Sequence, residues 1–259
     1  ISGCGDADPP RIPFAGNYSR LEGTMPEVAV CGHRGAMGHE PENTLRSFRK
    51  AAELGAEWIE FDVRLAGDGR PVVAHDARVD TSPYRAVLAE HTVEQLRELW
   101  FQGEDIPTLR ETFEVCREKG LKANVELKED AAAGPVIALL SEFGMEKECI
   151  ISSFSFRALL DVKKRAPQLP VGLLVPPVLH GYGLRKAAGA GFEAVHPHYI
   201  FLKQRYFRNA HSRGLRVNVW TVNTEERMRG MVGAGADMII TNFPDLLVKT
   251  KTDTTIQQM

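Results

Sequence analysis

Gly55-Ala56-Glu57-Trp58-Ile59-Glu60-Phe61-Asp62-Val63 reads as the end of a helix followed at once by a buried strand. Glycine is favoured just past a helix because it accepts the left-handed cap conformation. The residues after it are aromatic and β-branched, as strands prefer. Strand side chains alternate, so Glu60 and Asp62 share one face while Phe61 and Val63 share the other. The pattern returns as Gly235-Ala236-Asp237 before Met238-Ile239, and more weakly as Gly191-Phe192-Glu193 before Ala194-Val195. A longer echo runs Lys119-Gly120-Leu121-Lys122-Ala123-Asn124-Val125 and Arg213-Gly214-Leu215-Arg216-Val217-Asn218-Val219. Each copy marks a helix stopping and a strand starting.

Working outward, strand-like runs fall at 28–31, 58–63, 123–127, 149–152, 171–175, 194–196, 217–221 and 238–241. Helical periodicity separates them at 42–54, 109–119, 135–143, 156–165, 184–188, 202–212, 225–232 and 244–249. Eight strands alternating with helices predict a (β/α)8 barrel, the TIM-barrel architecture, with a doubly wound sheet as the alternative. After the second strand, Gly67-Asp68-Gly69 is a turn and 70–75 reads as a short extra strand. The stretch 77–105, with a helical piece at 93–100, reads as a small insertion on that βα loop. Such loops lie on the C-terminal face, where barrel active sites form. The barrel then spans 28–250, with an N-terminal extension over 1–27 and a C-terminal tail over 251–259.

The 259 residues are 43% apolar and 25% charged, the balance of a globular domain. A net charge of −2 leaves no cationic excess to draw in nucleic acid or an anionic membrane. No apolar run reaches the ~18 residues of a membrane span. Cys4, Cys31, Cys116 and Cys149 lack metal or redox spacing and read as reduced thiols. Ile1-Ser2-Gly3-Cys4 resembles the end of a bacterial lipoprotein signal, without the stretches that precede such a cysteine. The expectation is a cytoplasmic chain, with a cell-envelope lipoprotein as the alternative. Nothing in the sequence distinguishes monomer from homodimer.

Polar groups gather at the predicted strand ends: His33-Arg34-Gly35, Glu60 and Asp62, His75-Asp76, Glu126 and Lys128, and Trp220. Glu60, Asp62 and Glu126 would converge on one mouth. Packed carboxylates are costly without counter-charge, and a hard divalent cation with oxygen ligands relieves that cost. Mg²⁺ or Ca²⁺ suits the ligand type. Ion pairing by Arg34 and Lys128 is the structural alternative; both cations also suit an anionic substrate. His33 and His75 titrate near neutrality when unperturbed, so together they can divide general-acid and general-base work. His39, His91, His180 and His211 read as surface residues, and His196 and His198 as either pocket lining or barrel filling. The set points to hydrolysis of a phosphate ester.

His33-Arg34-Gly35, Pro41-Glu42-Asn43-Thr44, Glu60-Phe61-Asp62-Val63, Asp68-Gly69, Pro71-Val72-Val73-Ala74-His75-Asp76, Ile106-Pro107-Thr108-Leu109, Glu126-Leu127-Lys128 and Trp220-Thr221-Val222-Asn223 together closely resemble the glycerophosphodiester phosphodiesterases. The resemblance implies a (β/α)8 barrel with an insertion after the second strand. It implies hydrolysis of diesters such as glycerophosphocholine or glycerophosphoethanolamine to glycerol 3-phosphate and an alcohol. Glu60, Asp62 and Glu126 match the family's ligands for one divalent cation, Mg²⁺, Ca²⁺ or Mn²⁺. His33 and His75 match its acid/base pair, Arg34 and Lys128 its phosphate-holding cations, and Trp220 a mouth aromatic. The short Asp80-Thr81-Ser82-Pro83-Tyr84 departs from the Thr-rich loop of many members. A mouth opened there would suit the alternative activity, a lysophospholipase D acting on single-chain lysophospholipids.

Overall fold

The computed structural model describes residues 28–81, 84–98 and 103–256. The extension with Cys4 therefore lies outside the described residues. Strands are β1 (Ala29–His33), β2 (Trp58–Leu65), β3 (Pro71–Val73), β4 (Arg78–Thr81), β5 (Tyr84–Val87), β6 (Lys122–Leu127), β7 (Cys149–Ser153), β8 (Val171–Val175), β9 (Ala194–Pro197), β10 (Arg216–Val219) and β11 (Met238–Thr241). Helices are α1 (Leu45–Glu53), α2 (Val93–Arg97), α3 (Leu109–Lys119), α4 (Ala133–Phe143), α5 (Phe156–Arg165), α6 (His180–Gly189), α7 (Gln204–His211), α8 (Glu225–Ala234) and α9 (Pro244–Ile256).

Eight strands pair in parallel as β1-β2-β6-β7-β8-β9-β10-β11, and β11 pairs back with β1. This closure is the expected (β/α)8 barrel and excludes the open doubly wound sheet. Outward-facing strand residues such as Phe61, Val63 and Val125 meet the helices in the main core with Phe48, Phe113 and Leu140. Inside the barrel, Ala29, Cys31, Trp58, Ile150, Ala194 and Met238 form a separate apolar floor. Cys31, Cys116 and Cys149 are buried and reduced, as expected of core thiols.

The element ends differ from the sequence reading for local reasons. α1 starts at Leu45, not 42, because Asn43 is left-handed (φ 58°) and Thr44 caps the helix by accepting from the Ser47 N–H at 3.1 Å. α6 begins at His180, four residues early. α9 continues to Ile256, well past 249. β10 stops at Val219, and Trp220 makes only an isolated bridge to His198.

β3 pairs antiparallel with β2, extending that strand beyond the barrel rim. The hairpin β4–β5, invisible in the sequence reading, follows it. Val79, Ala86, Leu88, Val93, Leu96 and Ile106 close a small core of their own against Val72 and Ala66. No helix among the described residues is long and apolar enough to cross a membrane.

His196 is barrel filling. It is fully buried, its Nε2 lies 2.9 Å from the Asn218 amide nitrogen, and a Cβ on Gly172 would sit 2.2 Å from that Nε2. Glycine at 172 is thus the space for the ring. Burial lowers the His196 pKa to about 3. Below its unfolded value near 6.5 the unfolded chain binds the proton first, so stability falls as pH drops from about 6.5 toward 3. The loss is at most ~1.4 kcal/mol per pH unit, or about 2 kcal/mol at pH 5. In urea unfolding, His196→Gln should lose less stability than wild type between pH 7 and pH 5. Equal losses would remove His196 as the source.

Candidate active site

Strand register levels the site. Asp62 stands opposite Glu126, and His33 opposite Glu60. Ligand oxygens of Glu60, Asp62 and Glu126 all lie within 4.8 Å of one another, and Glu60 and Asp62 are nearly inaccessible, 4% and 1% exposed. The predicted carboxylate cluster therefore exists.

Counter-charge is unevenly shared. Asp62 takes Lys128 Nζ at 3.3 Å on Oδ1, and on Oδ2 the Asn43 amide at 2.9 Å and Arg34 Nε at 3.2 Å. That last contact is an ion pair whose alignment falls short of a hydrogen bond. Lys128 Nζ also donates to Glu126 Oε1 at 2.8 Å. Glu60 touches neither cation's side chain; it accepts the Arg34 backbone N–H at 3.0 Å, with His33 Nε2 3.9 Å away. The pKa directions follow. Burial and then Asp62 and Glu126 push Glu60 well up. Burial also raises Asp62, but Lys128, Arg34 and Asn43 together outweigh it and hold it below its usual value. Burial and Asp62 raise Glu126 despite Lys128. Arg34, shared with Glu42, and Lys128 leave the three inward carboxylates under-compensated, most of all Glu60. A divalent cation with hard oxygen ligands fits that deficit and the ligand spacing.

The turn after β1 sets much of this. Arg34 is left-handed (φ 49°), which turns its N–H onto Glu60. Its carbonyl accepts from Asn43 N at 3.1 Å and Ser47 Oγ at 2.9 Å. Gly35 is left-handed too, and a Cβ there would lie 2.4 Å from Ser47 Oγ, so the turn needs glycine. Glu42 grips Arg34 Nη1 with both oxygens, at 2.8 and 2.9 Å.

His33 Nδ1 lies 2.8 Å from Asn242 Oδ1 and carries the proton of that bond, which leaves Nε2 turned toward the carboxylates. Burial first, then the Arg34 charge, lower its pKa to about 4, against the pull of Asn242. His75 Nδ1 donates to Asp76 Oδ1 at 2.8 Å, and the His75 carbonyl accepts from Arg64 Nε at 2.8 Å. Trp220 stands apart from the cluster. Its Nε1 donates to the His196 carbonyl at 2.7 Å, and its ring meets Phe154 and His198 edge-on at 5.7 and 4.9 Å.

The sequence reading named seven polar site residues and missed those that aim them: Glu42, Asn43, Arg64 and Asn242. Glu42 and Asn43 sat in a quoted motif without a role. Asn242, just past the last strand, was the readable signal for a polar group at the mouth. His211 was read as surface, yet it pairs with Asp237 at 2.7 Å and is 14% exposed, bracing α7 against the strand that follows α8.

Clustered carboxylates with imidazoles alongside, in the mouth of a parallel barrel, are the equipment of metal-assisted phosphoester hydrolysis. The comparisons agree. The glycerophosphoryl diester phosphodiesterase family profile matches residues 33–246, and the chain belongs to that family. It is 37% identical over 239 residues to a glycerophosphodiester phosphodiesterase of Caldanaerobacter subterraneus subsp. tengcongensis, covering 86% of this chain and 97% of that one. Its fold matches a phosphodiesterase of Oleispira antarctica in complex with the product sn-glycerol-3-phosphate, with TM-score 0.80 and 26% identity over 86% and 96% of the two chains. It also matches the glycerophosphodiester phosphodiesterase of Thermotoga maritima, with TM-score 0.73 and 31% identity over 85% and 97%.

Asn242→Ala should lower kcat about tenfold to a hundredfold by freeing the His33 ring, while divalent-cation affinity measured by calorimetry stays near wild type. Lost affinity with intact kcat would contradict the tether.

Proposed function

We propose that this barrel hydrolyses glycerophosphodiesters to glycerol 3-phosphate and an alcohol, with His33 and His75 as its acid/base pair. The observation that carries the reading is the carboxylate triad within 4.8 Å, flanked by an imidazole whose Nε2 faces it 3.9 Å from Glu60. Glu60, Asp62 and Glu126 would hold one divalent cation. Mg²⁺ or Ca²⁺ suits three carboxylates, and Mn²⁺ shares their taste for oxygen. When bound, such an ion supplies Lewis-acid neutralisation of phosphoryl charge.

The chain's own groups do the rest. Arg34 and Lys128 bring fixed positive charge to the oxygens of the phosphodiester, Arg34 as a planar fork and Lys128 as a point charge. Glu42 holds the Arg34 fork in place from behind. His33 Nε2 and His75 Nε2 exchange protons with the nucleophile and the leaving alcohol. Asn242 and Asp76 each hold the opposite ring nitrogen, which keeps the working nitrogen exposed to the reaction. Trp220, beside Phe154 and His198, offers a ring face at the mouth for the glycerol or the alcohol.

His33→Ala and His75→Ala should each cut kcat by about 10²–10⁴ while leaving the fold intact. The assay is release of glycerol 3-phosphate from glycerophosphocholine. Near wild-type turnover in either variant would sink the pairing of the two imidazoles. Chelation should abolish turnover, and re-addition across Mg²⁺, Ca²⁺ and Mn²⁺ should restore it; activity surviving full chelation would remove the cation from the mechanism. Choline release from lysophosphatidylcholine in the same assay separates the lysophospholipase D alternative.

A further inference from the structure

Among the described residues, a group of large exposed hydrophobic side chains lies across the mouth from the insertion. Six large hydrophobic side chains are exposed among the described residues. Four of them stand on or beside two neighbouring βα connections: Val178 (85%) and Leu179 (46%) after β8, with Tyr182 (54%) in the first turn of α6, and Phe201 (77%) after β9. A fifth, Phe154, stands after β7 and leans on Trp220. All three connections leave the C-terminal ends of barrel strands, on the face that carries the carboxylates.

Charge on the same segment is one-sided. Over 176–208 the chain holds Arg185, Lys186, Lys203, Arg205 and Arg208 against one carboxylate, Glu193, in a protein whose net charge is −2. Glu193 is already engaged by Lys163 at 2.8 Å. Lys203 and Arg205 are exposed and make no ion pair among the described residues. Arg185 reaches back toward the loop, with Nη1 3.7 Å from where a Cβ on Gly181 would stand.

Between the two connections lies a cavity of about 520 Å³, lined by His180, Leu184, Phe201, Lys203, Arg205 and Tyr206 among others. The Tyr206 hydroxyl and His180 Nε2 are buried there without a hydrogen-bond partner. Tyr206 as a residue is only 9% exposed. Buried polar groups of this kind are normally hydrogen-bonded. Phe201 adds a second cost. Its φ of 64° puts a bulky residue in the left-handed region, and the result is an aromatic ring held out into solvent.

We propose that this face docks on an anionic phospholipid surface. Val178, Leu179, Tyr182 and Phe201 enter the interfacial layer, and a headgroup phosphate sits in the cavity against the exposed Lys203 and Arg205. Protruding apolar tips beside the exposed cations Lys203 and Arg205 match a bilayer, where apolar burial and anionic attraction add. A flat, uncharged patch would instead match a protein. Docking in this pose turns the catalytic mouth toward the lipid. The inference rests on surface chemistry and holds whichever diester the site cleaves.

The test is co-sedimentation with vesicles of phosphatidylcholine, with and without about 30% phosphatidylglycerol. Wild type should bind the anionic vesicles, weakly or not at all the neutral ones, and less at high salt. Phe201→Gly should weaken binding about tenfold while keeping or raising Tm, since glycine accepts the left-handed backbone. Val178→Ser and the pair Lys203→Glu, Arg205→Glu should weaken it at least as much with unchanged circular dichroism. Hydrolysis of glycerophosphocholine, measured alongside, reports on the catalytic reading separately. No binding by wild type, or equal binding by all variants, would overturn the proposal. So would a dimer in sedimentation velocity that Phe201→Gly abolishes, which would make the face a subunit contact.

Discussion

Three carboxylates on two adjacent parallel strands repel one another, and the mouth of the barrel is arranged around that repulsion. Asp62 is its hub. It is almost fully buried, and it is held by Lys128, by Arg34 and by the amide of Asn43. Each partner comes from a different place: the end of β6, the turn after β1, and the lead-in to α1. The charge of one side chain therefore ties three segments together. A buried charge that loses its partners is far costlier than the pair is stabilising, so these contacts act as constraints more than as sources of stability.

The compensation is deliberately incomplete at Glu60, which has a backbone N–H and a distant imidazole where its neighbours have cations. This asymmetry distinguishes the cluster from a fully paired ion-pair network. The structural alternative weighed for Arg34 and Lys128 is half realised, since both do pair with Asp62. Yet the three inward carboxylates outnumber Arg34 and Lys128, and Glu42 draws further on Arg34, so the pairing is incomplete. The same turn that places Arg34 also adjoins His33, so the electrostatics and the placement of that imidazole have a common backbone cause.

Much of the site was legible in advance. The alternation of Glu60 with Phe61 and Asp62 with Val63 is a property of any strand, and a parallel barrel turns one such face inward. Asn43, Glu42 and Asn242 were harder to read. Their roles depend on side chains reaching across to segments 8 to 209 residues away in sequence. His196 shows the same limit. Its ring fills space vacated by Gly172 on the neighbouring strand, and nothing in either local sequence pairs the two.

By itself the sequence determined the strand and helix order, the inward carboxylates and the residue types available for chemistry, because these follow from periodicity and side-chain chemistry along the chain. Only the tertiary structure decided which groups are charged, which are aimed and which are left over. Burial and proximity set those properties, and both arise only when the barrel closes. Closure brings Asn242, after the last strand, against His33 at the end of the first. It also gathers Val178 and Phe201, with the cations around them, from two separate loops onto one rim.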